Sequence, residues 1–292
     1  MPPLINYNSP SDLKAFLDER GLGMRKKFGQ NFLINPSARF MLLDALELKP
    51  GDKVWEIGPG LGAMTAGLVE RSAFVTAFEI DPAFAQILRE LYGGENSTFH
   101  LVEGDVLKTW PSYSGDEDLY LLGNLPYNVA AAIIADFIEK GQFFKRMVVT
   151  VQKEVAQRMV ARPKTHEYSS FSVLCSSVYK VKPLKVIKAS SFYPVPRVDS
   201  QGVSLELISP AQKRSKLFTP LVRGLFSSRR KTIRNTLTSF AASAIIDKDL
   251  KGKVEDILIR SGLSGDRRPE TLDIEEFSSL ANFLEEAIKN ES

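Results

Sequence analysis

The hydrophobic pattern is helical at the start of the chain, alternates strand with helix through the middle, and is helical again at the end. Ser9-Pro10-Ser11-Asp12 supplies a cap, a proline at the first helical position and an acid three residues after the cap, ahead of Leu13, Phe16 and Leu17 at helical spacing. Gly21 closes this short helix. Arg25 to Leu33 reads as a basic, glycine-broken loop, and Asn35-Pro36 caps a helix carrying Phe40, Met41, Leu42 and Leu43. After Pro50-Gly51 the rhythm is that of βαβ units. Strands are expected over Lys53 to Ile57, Phe74 to Ile80, Thr98 to Glu103, Leu119 to Leu122 and Arg146 to Gln152, with helices between most of them. Lys180 to Lys188 and Gly202 to Ile208 are expected to form a closing antiparallel pair, joined through Phe192-Tyr193-Pro194-Val195-Pro196.

Such a succession predicts an α/β fold: a Rossmann-like, doubly wound sheet, mostly parallel with one antiparallel strand, whose ligand crevice lies at the carboxyl ends of its strands. Past Ser209-Pro210 no strand pattern remains. Thr219-Pro220 starts a helix with Leu221, Val222, Leu225 and Phe226 on one face, and amphipathic segments follow near Val254 to Ser261 and Ile274 to Ile288. The expected organisation is a larger domain over 1–208, with 1–24 as an N-terminal extension, and a small all-α domain over 209–292.

The composition, 43% hydrophobic and 25% charged, is that of ordinary globular material. No run approaches the ~20 apolar residues of a membrane span, and the first residues lack the pattern of a signal peptide. One cysteine, Cys175, and two histidines, His100 and His166, argue against disulfide and His/Cys metal chemistry. A cytoplasmic, metal-free protein is the expectation, with Cys175 a buried small residue. The net charge of +3 hides a strong asymmetry. From Asp44 to Glu139 there are 16 acidic and 5 basic residues, a net of −11, whereas Lys145 to Val198 has 11 basic against 2 acidic, and Ser209 to Ile246 has 8 basic and no acid. A polyanion would approach the later segments.

Glu56-Ile57-Gly58-Pro59-Gly60-Leu61-Gly62 joins a strand to a helix, where glycines let backbone approach a ligand and aim a helix N-terminus at it. Glu79 ends the next strand about 20 residues later, where an acid accepts from ribose hydroxyls. Asp105 ends the third, where a carboxylate can accept from an adenine amino group. The Glu-x-Gly-x-Gly-x-Gly form, with its acid at Glu56, departs from the dinucleotide fingerprint and is the usual pattern of class I methyltransferases. S-adenosyl-L-methionine is the expected cofactor.

Asn124-Leu125-Pro126-Tyr127 follows the apolar strand Leu119 to Leu122 and has the residues to clamp a nucleobase amine. An adenine amine is a poor nucleophile because its lone pair is delocalised. Acceptors at both amino hydrogens, the Asn124 oxygen and a backbone carbonyl at Leu125 or Pro126, would favour a more tetrahedral nitrogen facing the sulfonium methyl. Pro126 fixes its own φ and holds Leu125 extended, and Tyr127 offers a stacking face. The expected chemistry is N-methylation of adenine.

These motifs, together with Lys27-Phe28-Gly29-Gln30-Asn31-Phe32-Leu33, Gln152-Lys153-Glu154-Val155, Ser191-Phe192, Pro194 to Ser200 and Phe226 to Asn235, closely resemble the small-subunit (16S) ribosomal RNA adenine N6,N6-dimethyltransferases, the KsgA family. The similarity runs in order from about Lys26 to the C-terminus. It implies that Gln30, Asn31 and Leu33 close over the methionine end of the cofactor, that Gly58 lies against it near Gly60, and that Glu79, Asp105 and Asn124 bind as argued. It further implies that Phe192 stacks on the target adenine opposite Tyr127, and that four methyls go to two adjacent adenosines near the 3′ end of 16S-type rRNA in an immature small subunit, by an enzyme acting as a monomer. Tyr168-Ser169-Ser170-Phe171 departs from the family's Tyr-Gly at that place.

Arg229-Arg230-Lys231-Thr232-Ile233-Arg234 is expected to begin a helix with most of its charge on one side, and with Lys26 and Lys27 to contact RNA phosphates. Such contacts position rather than specify. Three rivals share parts of this pattern: a macrolide-resistance type 23S rRNA adenine methyltransferase, a non-catalytic RNA-binding assembly or transcription factor, and a DNA adenine methyltransferase.

Overall fold

A computed structural model describes residues 5–23, 30–94, 97–114, 118–208, 215–243 and 252–289. Lys26 and Lys27 lie outside them. The elements run α1 (Pro10–Glu19), β1 (Phe32–Leu33), α2 (Pro36–Ala45), β2 (Lys53–Ile57), α3 (Ala63–Glu70), β3 (Phe74–Glu79), α4 (Pro82–Tyr92), β4 (Phe99–Glu103), α5 (Val106–Thr109), β5 (Leu119–Asn124), α6 (Ala130–Glu139) and β6 (Arg146–Gln152). They continue with α7 (Lys153–Val160), α8 (Ser170–Ser176), β7 (Tyr179–Ile187), β8 (Phe192–Tyr193), β9 (Ser200–Leu207), α9 (Phe218–Phe226), α10 (Ile233–Ser243), α11 (Val254–Arg260) and α12 (Ile274–Lys289). The expected helix starts are realised at α1 and α2: Ser9 Oγ accepts from the Asp12 N–H at 3.2 Å and Asn35 Oδ1 from the Ala38 N–H at 3.0 Å.

Seven strands form one sheet in the order β4-β3-β2-β5-β6-β9-β7. The pairs β3–β4, β2–β3, β2–β5 and β5–β6 are parallel, and β9 runs antiparallel to β6. The chain enters at the centre, winds outward through β3 and β4, and returns to β5 on the other side of β2. That reversal makes the carboxyl ends of β2 and β5 the switch point of the sheet. Alternation along β2 decides what each face receives. Trp55 turns to an aromatic cluster, its ring 5.0 Å from Phe78 and 5.4 Å from Phe144. Val54 belongs to the aliphatic cluster with Leu42, Leu68, Val75 and Leu122. Glu56, two residues on, shares the face of Val54, which puts a carboxylate against α3.

Close contacts divide the chain into two compact units, 1–156 with 180–207, and 157–179 with 208–292. A cut near residue 209 marks one crossing between them. The other two, after Ala156 and after Tyr179, were not legible as a change of pattern, because residues 157–179 look like one more crossover between strands. Their assignment follows from packing: Tyr168 and Val173 are buried in one cluster with Phe218, Leu225, Ile233, Leu258, Phe277 and Leu284. At the Ser169 departure the backbone is extended (φ −151°, ψ 174°), and Ser169 and Ser172 form a capping box on α8. No glycine conformation is needed there.

One expectation is corrected in this unit. The basic run does not begin a helix: Arg229, Arg230 and Lys231 occupy the turn after α9, and α10 starts only at Ile233. Helical propensity is overruled because the Ile233 and Arg234 N–H groups donate to the Arg267 and Gly265 carbonyls, pinning the chain there.

Candidate active site

β2 and β5 are neighbours in register, Ile57 beside Gly123. Gly58, the first residue after β2, and Asn124, the last of β5, therefore come together at the carboxyl ends of these strands although about 65 positions separate them. Gly60 (φ +60°) and Gly62 (φ +88°) hold the turn in left-handed conformations that side chains resist. A Cβ on Gly62 would lie 2.8 Å from the Tyr92 ring.

Two adjoining lobes open here. The first, about 660 Å³, is lined by Gln30, Asn31, Phe32, Leu33, Gly58, Pro59, Gly60, Ala63, Met64, Glu79, Ile80, Phe84, Asn124 and Pro126. The second, about 670 Å³, is lined by residues including Phe78, Asp105, Val106, Leu107, Asn128, Val129 and Ile133, and shares Gly58, Ile80 and Pro126 with the first. Apolar walls with a few convergent polar groups suit a nucleoside-bearing cofactor. The lobes bring together Gln30, Asn31, Leu33, Gly58, Gly60, Glu79, Asp105 and Asn124. Phe32, Phe84 and Ile80 were not singled out from the sequence. Ile80, the residue after β3, is apolar yet 42% exposed, a feature that only the structure shows.

Glu79 Oε2 accepts from the Gly60 N–H at 3.0 Å and Oε1 from the Asp81 N–H at 2.8 Å. Burial lifts its pKa to about 7 against those bonds. Asp105 Oδ1 caps α5 at the Leu107 N–H, 3.1 Å away, and the residue also lines the second lobe, so the cap does not withdraw it from the cleft. Glu56 is fully buried beneath the turn, where Oε2 accepts from Thr65 Oγ1 at 2.7 Å and Oε1 has no partner. Desolvation lifts its pKa to about 8. It lines neither lobe, and its place is under the turn rather than against a ligand.

Residues 30–33 bridge the cleft from outside the sheet. Gln30 Nε2 donates to Asp81 Oδ2 at 2.8 Å, and the Asn31 carbonyl accepts from Asn124 Nδ2 at 2.7 Å. β1 pairs antiparallel with β8, Phe32 opposite Tyr193 and Leu33 opposite Phe192. This ribbon escaped sequence reading, since two residues carry no period. The ring of Phe192, for which the resemblance implies stacking on the target adenine, is 1% exposed here, in the aliphatic cluster with Leu33, Leu42 and Val148, where it supports the ribbon.

In the clamp, Leu125 is buried and its N–H donates to the Thr150 carbonyl. The Pro126 carbonyl accepts from both the Val129 and Ala130 N–H groups, at 3.1 and 3.0 Å, and so starts α6. Of the two carbonyls open from sequence, that one is spent. Tyr127 is half-buried, its hydroxyl 2.6 Å from Ser200 Oγ, and burial raises its pKa.

In the second unit Arg229 donates to the His166 and Tyr168 carbonyls at 2.8 and 2.9 Å. Arg234 is neutralised by Glu255 and Asp266 at 2.6 and 2.7 Å. These acids lie beyond the acid-free stretch, which is why sequence reading gave Arg234 to RNA. Arg230 and Lys231 are exposed.

Residues 21–280 match the family model described as ribosomal RNA adenine dimethylase, which leaves the N-terminal helix ahead of the matched span. A protein of Treponema denticola named ribosomal RNA small subunit methyltransferase A is 45% identical over 290 residues, 97% of this chain and 96% of its own. One of the same name from Borreliella burgdorferi is 41% identical over 280 residues, 96% and 95% of the two chains. Among solved structures, a dimethyladenosine transferase from Plasmodium falciparum superposes with a TM-score of 0.73 at 26% identity, over 87% of this chain and 98% of its own. The 23S rRNA methyltransferase ErmE (TM-score 0.62, 24% identity, 87% and 99% of the chains) shares the fold. With the glycine turn and Asn124-Leu125-Pro126-Tyr127 set on adjacent strands, the chain belongs to the ribosomal RNA adenine dimethylase family and is an S-adenosylmethionine-dependent methyltransferase of ribosomal RNA.

Proposed function

We propose that this protein dimethylates N6 of two adjacent adenosines near the 3′ end of small-subunit rRNA, acting as a cytoplasmic monomer on a subunit that is still immature. The observation that carries the reading is the Asn124 amide. Its nitrogen is held by the Asn31 carbonyl, which leaves Oδ1 as the acceptor for an incoming amine. With the Pro126 carbonyl committed to α6, the second acceptor is the carbonyl of Leu125, whose extended backbone Pro126 enforces. The two acceptors fix the amino hydrogens and turn the nitrogen lone pair toward the first lobe.

S-adenosylmethionine, when bound, supplies an electrophilic methyl on sulfonium. Gln30, Asn31, Leu33, Gly58 and Gly60 line the lobe that would hold its methionine end, Glu79 would take the ribose hydroxyls, and Asp105 the adenine amine in the second lobe. Tyr127 would offer its ring to the target base as a stacking face. No strong base is required, because the alkylated amine is acidic. Orientation of two reactants lowers a barrier by about 7 to 11 kcal/mol, which makes a rigid clamp an effective catalyst. Exposed Arg230 and Lys231 would contact phosphates and position the RNA.

Small-subunit rRNA is preferred to 23S rRNA because the relatives above 40% identity bear the small-subunit name, whereas ErmE is similar in fold alone. The test is transfer of labelled methyl to immature 30S particles and to 23S RNA from cells lacking these modifications, followed by mass spectrometry. Dimethyladenosine in the 30S RNA alone is expected. Label in 23S RNA alone would overturn the assignment.

A further inference from the structure

The N-terminal segment, left without a role by the sequence, is built into the back of the glycine turn. α1 buries Leu13, Phe16 and Leu17 in one cluster with Leu61 of the turn and Phe84 and Ile87 of α4. Ahead of α1, the Tyr7 hydroxyl donates to the Leu61 carbonyl at 2.9 Å, across 54 positions of sequence. From the end of α4 the Tyr92 hydroxyl donates to the next carbonyl, Gly62, at 3.1 Å. The two hydroxyls also lie within hydrogen-bonding reach of each other, so they hold the turn as a pair. Tyr7 is itself anchored: Arg39 donates to its carbonyl at 3.5 Å and to Asn8 Oδ1 at 2.5 Å.

A turn with glycine at 58, 60 and 62 has more conformations to lose than any other when it closes on a ligand. Holding the Leu61 and Gly62 carbonyls fixes the two planar peptides on either side of Gly62. The second of these carries the N–H of Ala63, a residue that lines the first lobe. The Gly62 carbonyl also accepts from the Ala66 N–H at 3.0 Å, which ties this plane to α3.

We infer that Tyr7 is a positioning residue of the cofactor site, which together with Tyr92 locks the glycine turn in its binding conformation, so that the N-terminal segment sets affinity for S-adenosylmethionine without touching it. This rests on the assignment of the first lobe to the cofactor. The test is calorimetry of S-adenosylhomocysteine binding to the full chain and to Tyr7→Phe, Tyr92→Phe and the double variant, at a temperature where each is folded, with Tm and steady-state kinetics beside it. Loss of one hydrogen bond on the turn should weaken binding by about three- to tenfold in each single variant. KM for the cofactor should rise by the same factor with kcat at saturation unchanged. The double variant should lose less than the product of the singles, since both tyrosines hold one turn. A lowered Tm with unchanged Kd and KM in both single variants would reduce the tyrosines to structural props and overturn the inference, as would a fall in kcat with KM unmoved. A wild-type chain that fails to bind would instead overturn the assignment of the lobe.

Discussion

Asn124 Nδ2 donates to the carbonyl oxygen of Asn31 at 2.7 Å, joining the amine clamp to a segment 93 positions earlier. An amide has donors on nitrogen alone and acceptors on oxygen alone, so on the proposed reading this single bond leaves Oδ1 as the end of Asn124 that faces the substrate amine. Asn124→Ala removes both the acceptor and its orientation. Loss of one preorganised polar group at a reacting centre costs about 100- to 1000-fold in kcat, and that is the expected fall in methyl transfer, with RNA retention on filters unchanged. Wild-type turnover in this variant would refute the clamp.

Glu79 titrates near 7 because burial opposes its charge. Ribose hydroxyls donate to a carboxylate better than to a carboxylic acid, so cofactor binding favours the ionised form. Affinity for S-adenosylhomocysteine should therefore rise as pH climbs through about 7. Glu79→Gln should bind roughly 10- to 100-fold more weakly at pH 8, the range for a hydrogen bond to a charged group, and lose the pH dependence. Calorimetry at pH 6, 7 and 8 checks both, and a wild-type Kd flat across that range would remove the ribose role.

Stability runs the other way with pH, for Glu79 as for Glu56, and the larger rise is at Glu56. Its pKa rises from the ordinary 4.5 to about 8 in the fold, chiefly by desolvation, with Thr65 opposing and Glu79 adding. Below the ordinary value both states are protonated. Above it the unfolded chain releases a proton that the fold keeps, so stability is full below about 4.5 and is lost as pH rises through about 8. Tm of the ligand-free protein should fall across that window. Glu56→Gln should flatten the fall and raise Tm at pH 8, and an unaltered Tm profile would show that burial does not control this carboxyl.

Arg230 and Lys231 are exposed in the turn after α9, whereas Arg234 is held between Glu255 and Asp266. Reversing Arg230 and Lys231 to Glu should weaken RNA binding and reduce the slope of log K against log salt by about 0.7 to 0.9 per lost contact. Arg234→Glu, facing two carboxylates, should lower Tm and leave the slope alone. Salt titrations on filters and thermal melts separate the two, and a steep slope that survives the double reversal would exclude this turn from the phosphate contacts.

The sequence by itself determined what is local. Ser9 and Asn35 cap the helices they precede, Lys53 to Ile57 and Arg146 to Gln152 are strands from end to end, and the glycine turn and Asn-Leu-Pro-Tyr end adjacent strands. Period, caps and turn chemistry act over a few residues, so they can be read without knowing what lies opposite. Only the tertiary structure decided which groups meet across the chain. It took Phe192 into the core through a two-residue ribbon, gave Arg234 acids from 21 and 32 positions away, and spent the Pro126 carbonyl on α6. It also moved residues 157–179 into the helical unit and brought Tyr7 to the turn at Leu61. Each of these is a choice of partner among chemically equivalent groups, and burial and packing across the chain make that choice, not the local pattern.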